Sequence, residues 1–250
     1  MSISPSRSSR IAEESKVLSH AFISAPSSRR CRAPCPALNT LANHGYVSRD
    51  GQDIAFFDLI RAIVHVYNVS IPLALFLALP GYLLYGTFHF TGWPWRWTWI
   101  LSLAALSDFG ASRLAHRASL VHVNHPSHCP DPELLESLIS ACPSGLSIRD
   151  FAEVRVKREA ALEKPINWWH EQVALGESAL SWLLFRDGSD STATVPVERM
   201  REFFGQERLP EGWWERVRPQ QAIGLFTARR IANEVQKDMM IIRSKGAKSD

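Results

Sequence analysis

The run from Cys31 to Asp53, CRAPCPALNTLANHGYVSRDGQD, constrains this chain more than any other stretch. Pro34 and Pro36 bracket Cys35, fixing φ on both sides and removing the backbone donors of both positions. A loop stiffened in this way suits a thiolate held at a set distance from a metal. The next backbone N–H groups, those of Ala37 and Leu38, are left free to point at sulfur. Asn39, Asn43 and His44 follow, then turns marked by Gly45 and Gly51.

The rest of the composition narrows the class. With 250 residues, 46% hydrophobic and 21% charged, the chain can bury a substantial core and reads as one ordinary globular domain. A formal charge of +3 and the lack of a basic stripe with interleaved aromatics argue against nucleic acid. The basic run Lys237 to Lys248 reads as a solvated helix end and tail. The domain is expected over residues 19–243, with a disordered tail over 1–18 and a polar tail over 244–250. Met1 to Arg30 is rich in Ser and Arg and holds no signal-peptide core. Of the four cysteines, Cys31 and Cys35 have no second Cys/His cluster at zinc spacing. Spacing alone leaves a Cys129–Cys142 disulfide open.

Helical periodicity dominates the pattern. Asp53 is the expected cap of a helix carrying Phe56, Ile60, Ile63, Val64 and Tyr67. Ser70 and Pro72 open a second helix, which Pro80-Gly81 is expected to end after Leu79. Val69 to Phe90 holds no charge, and Trp93, Trp95, Trp97 and Trp99 follow. That run resembles a membrane segment with an aromatic belt, but Pro80-Gly81 divides it, so core packing is favoured. His122, His125 and His128 are expected as surface residues. Asp131 caps the next helix, Ser147 with Asp150 makes a capping box for one running to about Glu163, and helices are expected over His170–Phe185, Val195–Gln206 and Pro219–Ile242. No alternating strand pattern competes, so the fold class is all-α.

The run Pro34-Cys35-Pro36-Ala37-Leu38-Asn39-Thr40-Leu41-Ala42-Asn43-His44-Gly45-Tyr46 resembles the proximal loop of the heme-thiolate peroxidases, the family of fungal chloroperoxidases and unspecific peroxygenases. The resemblance implies a single-domain helical bundle enclosing haem b between a proximal cysteine loop and a distal helix. Cys35 would be the axial iron ligand, with Ala37 and Leu38 beside it. Glu177, in Leu175-Gly176-Glu177-Ser178-Ala179-Leu180, would be the distal acid-base. A carboxylate on so apolar a helix also calls for a reason if it is buried. Leu180 and Leu184, one and two turns further on, would line a substrate pocket.

The family's second motif, Glu-His-Asp followed by Ser, stands here as Ala115-His116-Arg117-Ala118-Ser119. His116 matches the distal histidine and Ser119 the serine. Relatives hold magnesium with the glutamate; the Ala115 side chain offers no oxygen donor, so magnesium is expected to be absent or weakly held, and Arg117 would neutralise a haem propionate instead. The implied partners are hydrogen peroxide and a small organic substrate, as in fungal secondary metabolism, with no reductase. Relatives are mostly secreted; with no leader evident, either the protein is intracellular, which is favoured, or the start at Met1 misses the leader. A haem-binding relative weakened by the altered Ala115-His116-Arg117 motif and a membrane-associated helical protein are the alternatives.

Overall fold

The computed structural model describes residues 20–25, 33–92, 96–107, 120 and 130–246. Ala115, His116, Arg117, Ser119, Cys31, Cys129 and the histidines of residues 121–129 lie outside the described residues, as do the tail over 1–18 and residues 247–250.

Helix α1, Pro36–Asn43, follows the Pro-Cys-Pro run directly. It ends in a left-handed turn: Gly45 has φ 67°, and Tyr46 N–H donates to Leu41 O at 2.9 Å. Only glycine takes that conformation without Cβ strain, which accounts for the glycine after His44.

The next helix, α2, spans Phe56–Tyr67. The expected cap at Asp53 is a miss. Asp53 sits at φ 51°, and Ile54–Ala55 forms a short strand, β1, against the later strand residues Leu101 and Ile100. Strand pairing fixes Ile54 and Ala55 as extended, so the helix starts two residues late, with Ala55 as its cap. Helix α3, Ile71–Tyr85, begins as expected, Ser70 Oγ accepting from Leu73 N–H. It does not stop at Leu79: Pro80 lies inside it, and the apolar run continues to Tyr85. A proline in a helix interior deletes one donor, and here that is tolerated.

Core packing holds for only one side of α3. Leu73, Ala74, Ala78, Gly81 and Tyr82 are buried, whereas Ile71, Leu75, Phe76, Leu77, Leu79, Leu83 and Leu84 are exposed. No helix among the described residues is long and apolar enough to cross a membrane.

Trp97 and Trp99 of the tryptophan run lie on a strand. Strands β2, Thr87–Gly92, and β3, Arg96–Leu101, pair antiparallel, and the sheet order is β1-β3-β2. Phe88 opposes Trp99 and Phe90 opposes Trp97, with ring centroids 5.3 and 5.5 Å apart. Such cross-strand aromatic pairs stabilise a sheet. This small sheet departs from the expectation of no strands, within an architecture that is otherwise helical.

A 3-10 turn, Leu103–Ser107, precedes α4, Pro132–Ala141. Asp131 caps α4, accepting from Glu133 N–H at 2.8 Å. Helix α5, Ile148–Ala160, carries the predicted capping box at Ser147 and Asp150. Helix α6 spans Trp168–Phe185, with Asn167 Oδ1 accepting from His170 N–H at 2.9 Å. A short α7, Val197–Met200, widens into a π turn at Arg201–Gly205, and a second π turn covers Trp213–Val217.

The last helix, α8, is Leu225–Gly246 and packs on α5 and α6. It starts later than Pro219 because the residues before it bond the end of α2 instead. Asn68 Nδ2 donates to Pro219 O at 2.7 Å, and Ile223 N–H donates to Asn68 O at 2.9 Å.

Trp182, Phe185, Tyr82, Leu41, Leu59, Leu175 and Met200 are fully buried and form the centre of one core. Burying one such side chain contributes about 1.5–3 kcal/mol. The polar tips are satisfied: Trp182 Nε1 donates to Ala193 O at 2.9 Å, Trp213 Nε1 to Val66 O at 3.1 Å, and Tyr82 Oη to Ile54 O at 2.7 Å.

Candidate active site

Cys35 occupies the N-cap of α1, with extended φ −96° and ψ 109°. Pro36 then takes the first helical position, where its missing N–H costs nothing. The next amides, Ala37 and Leu38, stand at the positions that normally face an N-cap side chain. They favour the thiolate and pull the Cys35 pKa down, without closing a capping hydrogen bond. Burial outweighs them: with the charges of Glu177 and Glu207 also opposing ionisation, the thiol is pushed up to about 11.

The loop is tied down from several sides. Tyr67, buried on α2, donates its hydroxyl to Ala37 O at 2.7 Å. Asn39 is wholly buried. Its Oδ1 accepts from Ala33 N–H at 3.0 Å, and its Nδ2 donates to Ala33 O at 2.9 Å and to Glu207 Oε1 at 2.6 Å. One turn on, Asn43 Nδ2 donates to Glu207 O at 3.0 Å. His44 Nε2 accepts from Leu209 N–H at 3.2 Å.

Cys35, Ala37 and Leu38 open on a cavity of about 440 Å³ that Glu177, Leu180 and Leu184 of α6 also line. Tyr67, Phe76, Leu77, Phe203 and Phe204 complete much of an apolar wall. The structure therefore brings together six of the residues singled out in the sequence. His116, Arg117 and Ser119 lie outside the described residues. One argument for Glu177 does not hold: the residue is exposed, not buried, so no desolvation cost explains its presence. No cluster of three or more His, Cys, Asp or Glu suited to a metal ion occurs among the described residues.

Sequence reasoning missed Arg155, Arg158 and Glu207. Arg155 is 5% exposed and lines the cavity beside Arg158. It pairs with Glu159, which also pairs with Arg243 of α8. Burial lowers the Arg155 pKa, while the charges of Glu159 and then Glu177 and Glu171 support its charged form. The signal was present: Ile148, Phe151, Ala152 and Arg155 share one helical face, and all are buried. Glu207 gave no local signal, because its partners Asn39 and Asn43 are 168 and 164 residues away.

The model of peroxidase family 2 matches residues 20–218. Three relatives share a shorter stretch. An aromatic peroxidase of Fusarium equiseti is 46% identical over 55 residues, 22% of this chain and 12% of that protein. A chloroperoxidase of Leptoxyphium fumago is 48% identical over 54 residues, 20% of this chain and 14% of that protein. A dothistromin biosynthesis peroxidase of Dothistroma septosporum is 40% identical over 57 residues, 23% and 14% of the two chains. The matched stretch is thus a small fraction of each relative's length. With the family model covering most of the chain, from His20 through the Cys35 loop and α6 to Arg218, this protein belongs to peroxidase family 2.

Proposed function

We propose that this chain is a haem-thiolate peroxidase or peroxygenase that draws oxidising equivalents from hydrogen peroxide and delivers them to a small organic substrate. One observation carries the reading: Cys35 at the N-cap of α1 and Glu177 on α6 line the same apolar cavity. That cavity, about 440 Å³, falls in the usual range for ligand sites, roughly 300–1,000 Å³. A cysteine at its wall, with the amides of Ala37 and Leu38 favouring thiolate, fits an iron porphyrin held through sulfur.

When bound, iron porphyrin with a thiolate ligand supplies a centre at which the peroxide O–O bond breaks heterolytically. The remaining chemistry falls to the chain. Cys35 would hold the iron through its sulfur and would give up its proton to do so, against the burial that favours the thiol. A Glu177 carboxylate oxygen would take a proton from one oxygen of hydrogen peroxide and return it to the other, which leaves as water, while the first oxygen carries the two oxidising equivalents on to the substrate. Exposure suits Glu177 to this role, since it can exchange protons with solvent between turnovers. Leu180, Leu184, Phe203 and Phe204 provide the apolar surface that receives an organic substrate. The apolar lining favours an organic substrate over a halide, and the names of two relatives, an aromatic peroxidase and a dothistromin biosynthesis peroxidase, are in keeping with an organic substrate, while that of the chloroperoxidase points to halide.

The Ala115 side chain carries no oxygen donor, so the proposed site would work without magnesium, and Arg117 would neutralise a propionate. Finding one magnesium per haem would overturn that part.

The reading is tested with two variants. Cys35→Ala should lose the strongly red-shifted ferrous carbonyl band that marks thiolate ligation. Glu177→Gln should keep the band and lose peroxide-dependent turnover by about 10²–10⁴-fold. A Cys35→Ala protein with an unchanged haem spectrum would end the axial-ligand assignment, and full turnover in Glu177→Gln would end the acid-base one.

A further inference from the structure

Glu207 is a carboxylate in an unusual place. It is 7% exposed, and its backbone stands at φ 52°, a left-handed conformation that a non-glycine residue holds only when its surroundings enforce it. The enforcement comes from the cysteine loop. Asn43 Nδ2 donates to the Glu207 carbonyl at 3.0 Å, and Asn39 Nδ2 to the Glu207 carboxylate at 2.6 Å. Next along the chain, Leu209 N–H donates to His44 Nε2 at 3.2 Å.

The same Asn39 side chain reaches in the other direction. It closes two hydrogen bonds with the backbone of Ala33, at 3.0 and 2.9 Å, and Ala33 is fully buried. Ala33 leads through Pro34 into Cys35. One side chain thus joins the Glu207 carboxylate to the residue from which the rigid Pro-Cys-Pro segment departs.

We propose that Glu207 is a positioning residue for Cys35: acting through Asn39, it fixes the Ala33–Cys35 segment and keeps a negative charge behind the sulfur. The carboxylate lies one hydrogen bond from Asn39, at 2.6 Å, and the Asn39 backbone N–H itself donates to Cys35 O at 3.3 Å. Around an iron site, a fixed negative charge in the ligand's surroundings stabilises the more positive oxidation state. Glu207 would therefore hold the ferric form and add to the electron donation of the thiolate. This rests on the reading of Cys35 as axial ligand.

Two variants separate the clamp from the charge. Glu207→Gln keeps an amide oxygen to accept from Asn39 and removes the charge; Glu207→Ala removes both. In the haem-free protein, exchange of the Ala33 amide is followed by NMR. Glu207→Ala should speed it about tenfold or more, and Glu207→Gln should leave it nearly unchanged. In the haem-loaded protein, Glu207→Gln should raise the ferrous-to-ferric ratio at a fixed potential roughly threefold to tenfold, an upward shift of about 30–60 mV at 59 mV per decade for one electron.

Unchanged Ala33 exchange in Glu207→Ala overturns the clamp. An unchanged midpoint in Glu207→Gln overturns the charge role. Should Cys35→Ala show the parent's haem spectrum, the axial-ligand reading fails and the charge role with it, while the Ala33 exchange still decides the clamp.

Discussion

Tyr67→Phe tests how the proximal loop is held. Tyr67 is 3% exposed, and its hydroxyl donates to Ala37 O at 2.7 Å. Its ring meets Phe203 and Trp213 edge-on, with centroids 6.3 and 6.1 Å away. Phenylalanine preserves those contacts, so the substitution removes one buried hydrogen bond and little else. The net value of such a bond is about 1 kcal/mol. For a chain of this size that lowers Tm by about 2–4 °C, which thermal unfolding of the haem-free protein measures directly.

Ala37 is also the second residue after Cys35, so the same bond holds the turn that carries the sulfur. If the pinning is needed for the ligated geometry, haem affinity falls by a comparable free energy, about fivefold. Transfer of haem to apomyoglobin reads that change as a faster off-rate. A Tyr67→Phe protein with both the parent's Tm and the parent's haem transfer rate would refute the argument. A loss of more than about 8 °C would refute it differently, by showing that the ring had moved.

Two further perturbations follow from hydrogen bonds elsewhere. His44 accepts from Leu209 N–H through Nε2, which assigns the proton to Nδ1, facing His20 O at 3.0 Å. Burial lowers its pKa below the ordinary 6.5, and the charges of Arg49 and Arg208 add to this. The unfolded chain thus binds the proton more readily. The His44 contribution is complete above pH 6.5 and is lost as pH falls through the lowered folded value. Urea unfolding between pH 7.5 and 5 should show this loss, and a His44→Gln protein with the same slope would count against it. Ser147→Ala removes the capping box of α5, in which Ser147 N–H donates to Asp150 Oδ2 at 2.7 Å and Ser147 Oγ accepts from Asp150 N–H at 3.3 Å. The expected cost is about 1 kcal/mol, read as a lower urea midpoint; an unchanged midpoint would contradict it.

What the sequence disclosed depended on the range of the interaction. The caps at Ser70, Asp131 and Ser147 act within three residues, and all were legible. Asp53 looked like a cap by the same rule, but Ile54 and Ala55 pair with Leu101 and Ile100, and a local rule does not see a partner that distant. The paired aromatic strands were present as the alternation of Trp97 and Trp99 against Phe88 and Phe90, which an uncharged run resembling a membrane segment masks. Pro80 failed as a helix stop because proline removes one donor from a ladder of many, and the residues after it still favour helix. Glu177 was found by resemblance and placed on the cavity, yet its exposure removes the desolvation argument that first drew attention to it.

The Pro34–Tyr46 run reads at first as a loop with a single task, and the structure divides it in two. Pro34, Cys35, Pro36, Ala37 and Leu38 line the cavity. Asn39, Asn43 and His44 turn the other way and hold Glu207 and Leu209. Those three bonds span 164–168 residues, so forming them carries the loop-closure entropy of most of the chain. A loop of five residues could not keep a sulfur in place alone, since fixing each backbone costs about 1–2 kcal/mol. The asparagines offset that cost by making the loop part of the core that α2 and the π turns already form. The residues flanking the cysteine therefore carry two requirements, one toward the cavity and one toward Glu207. That double demand is the physical reason so long a run must be read as one unit.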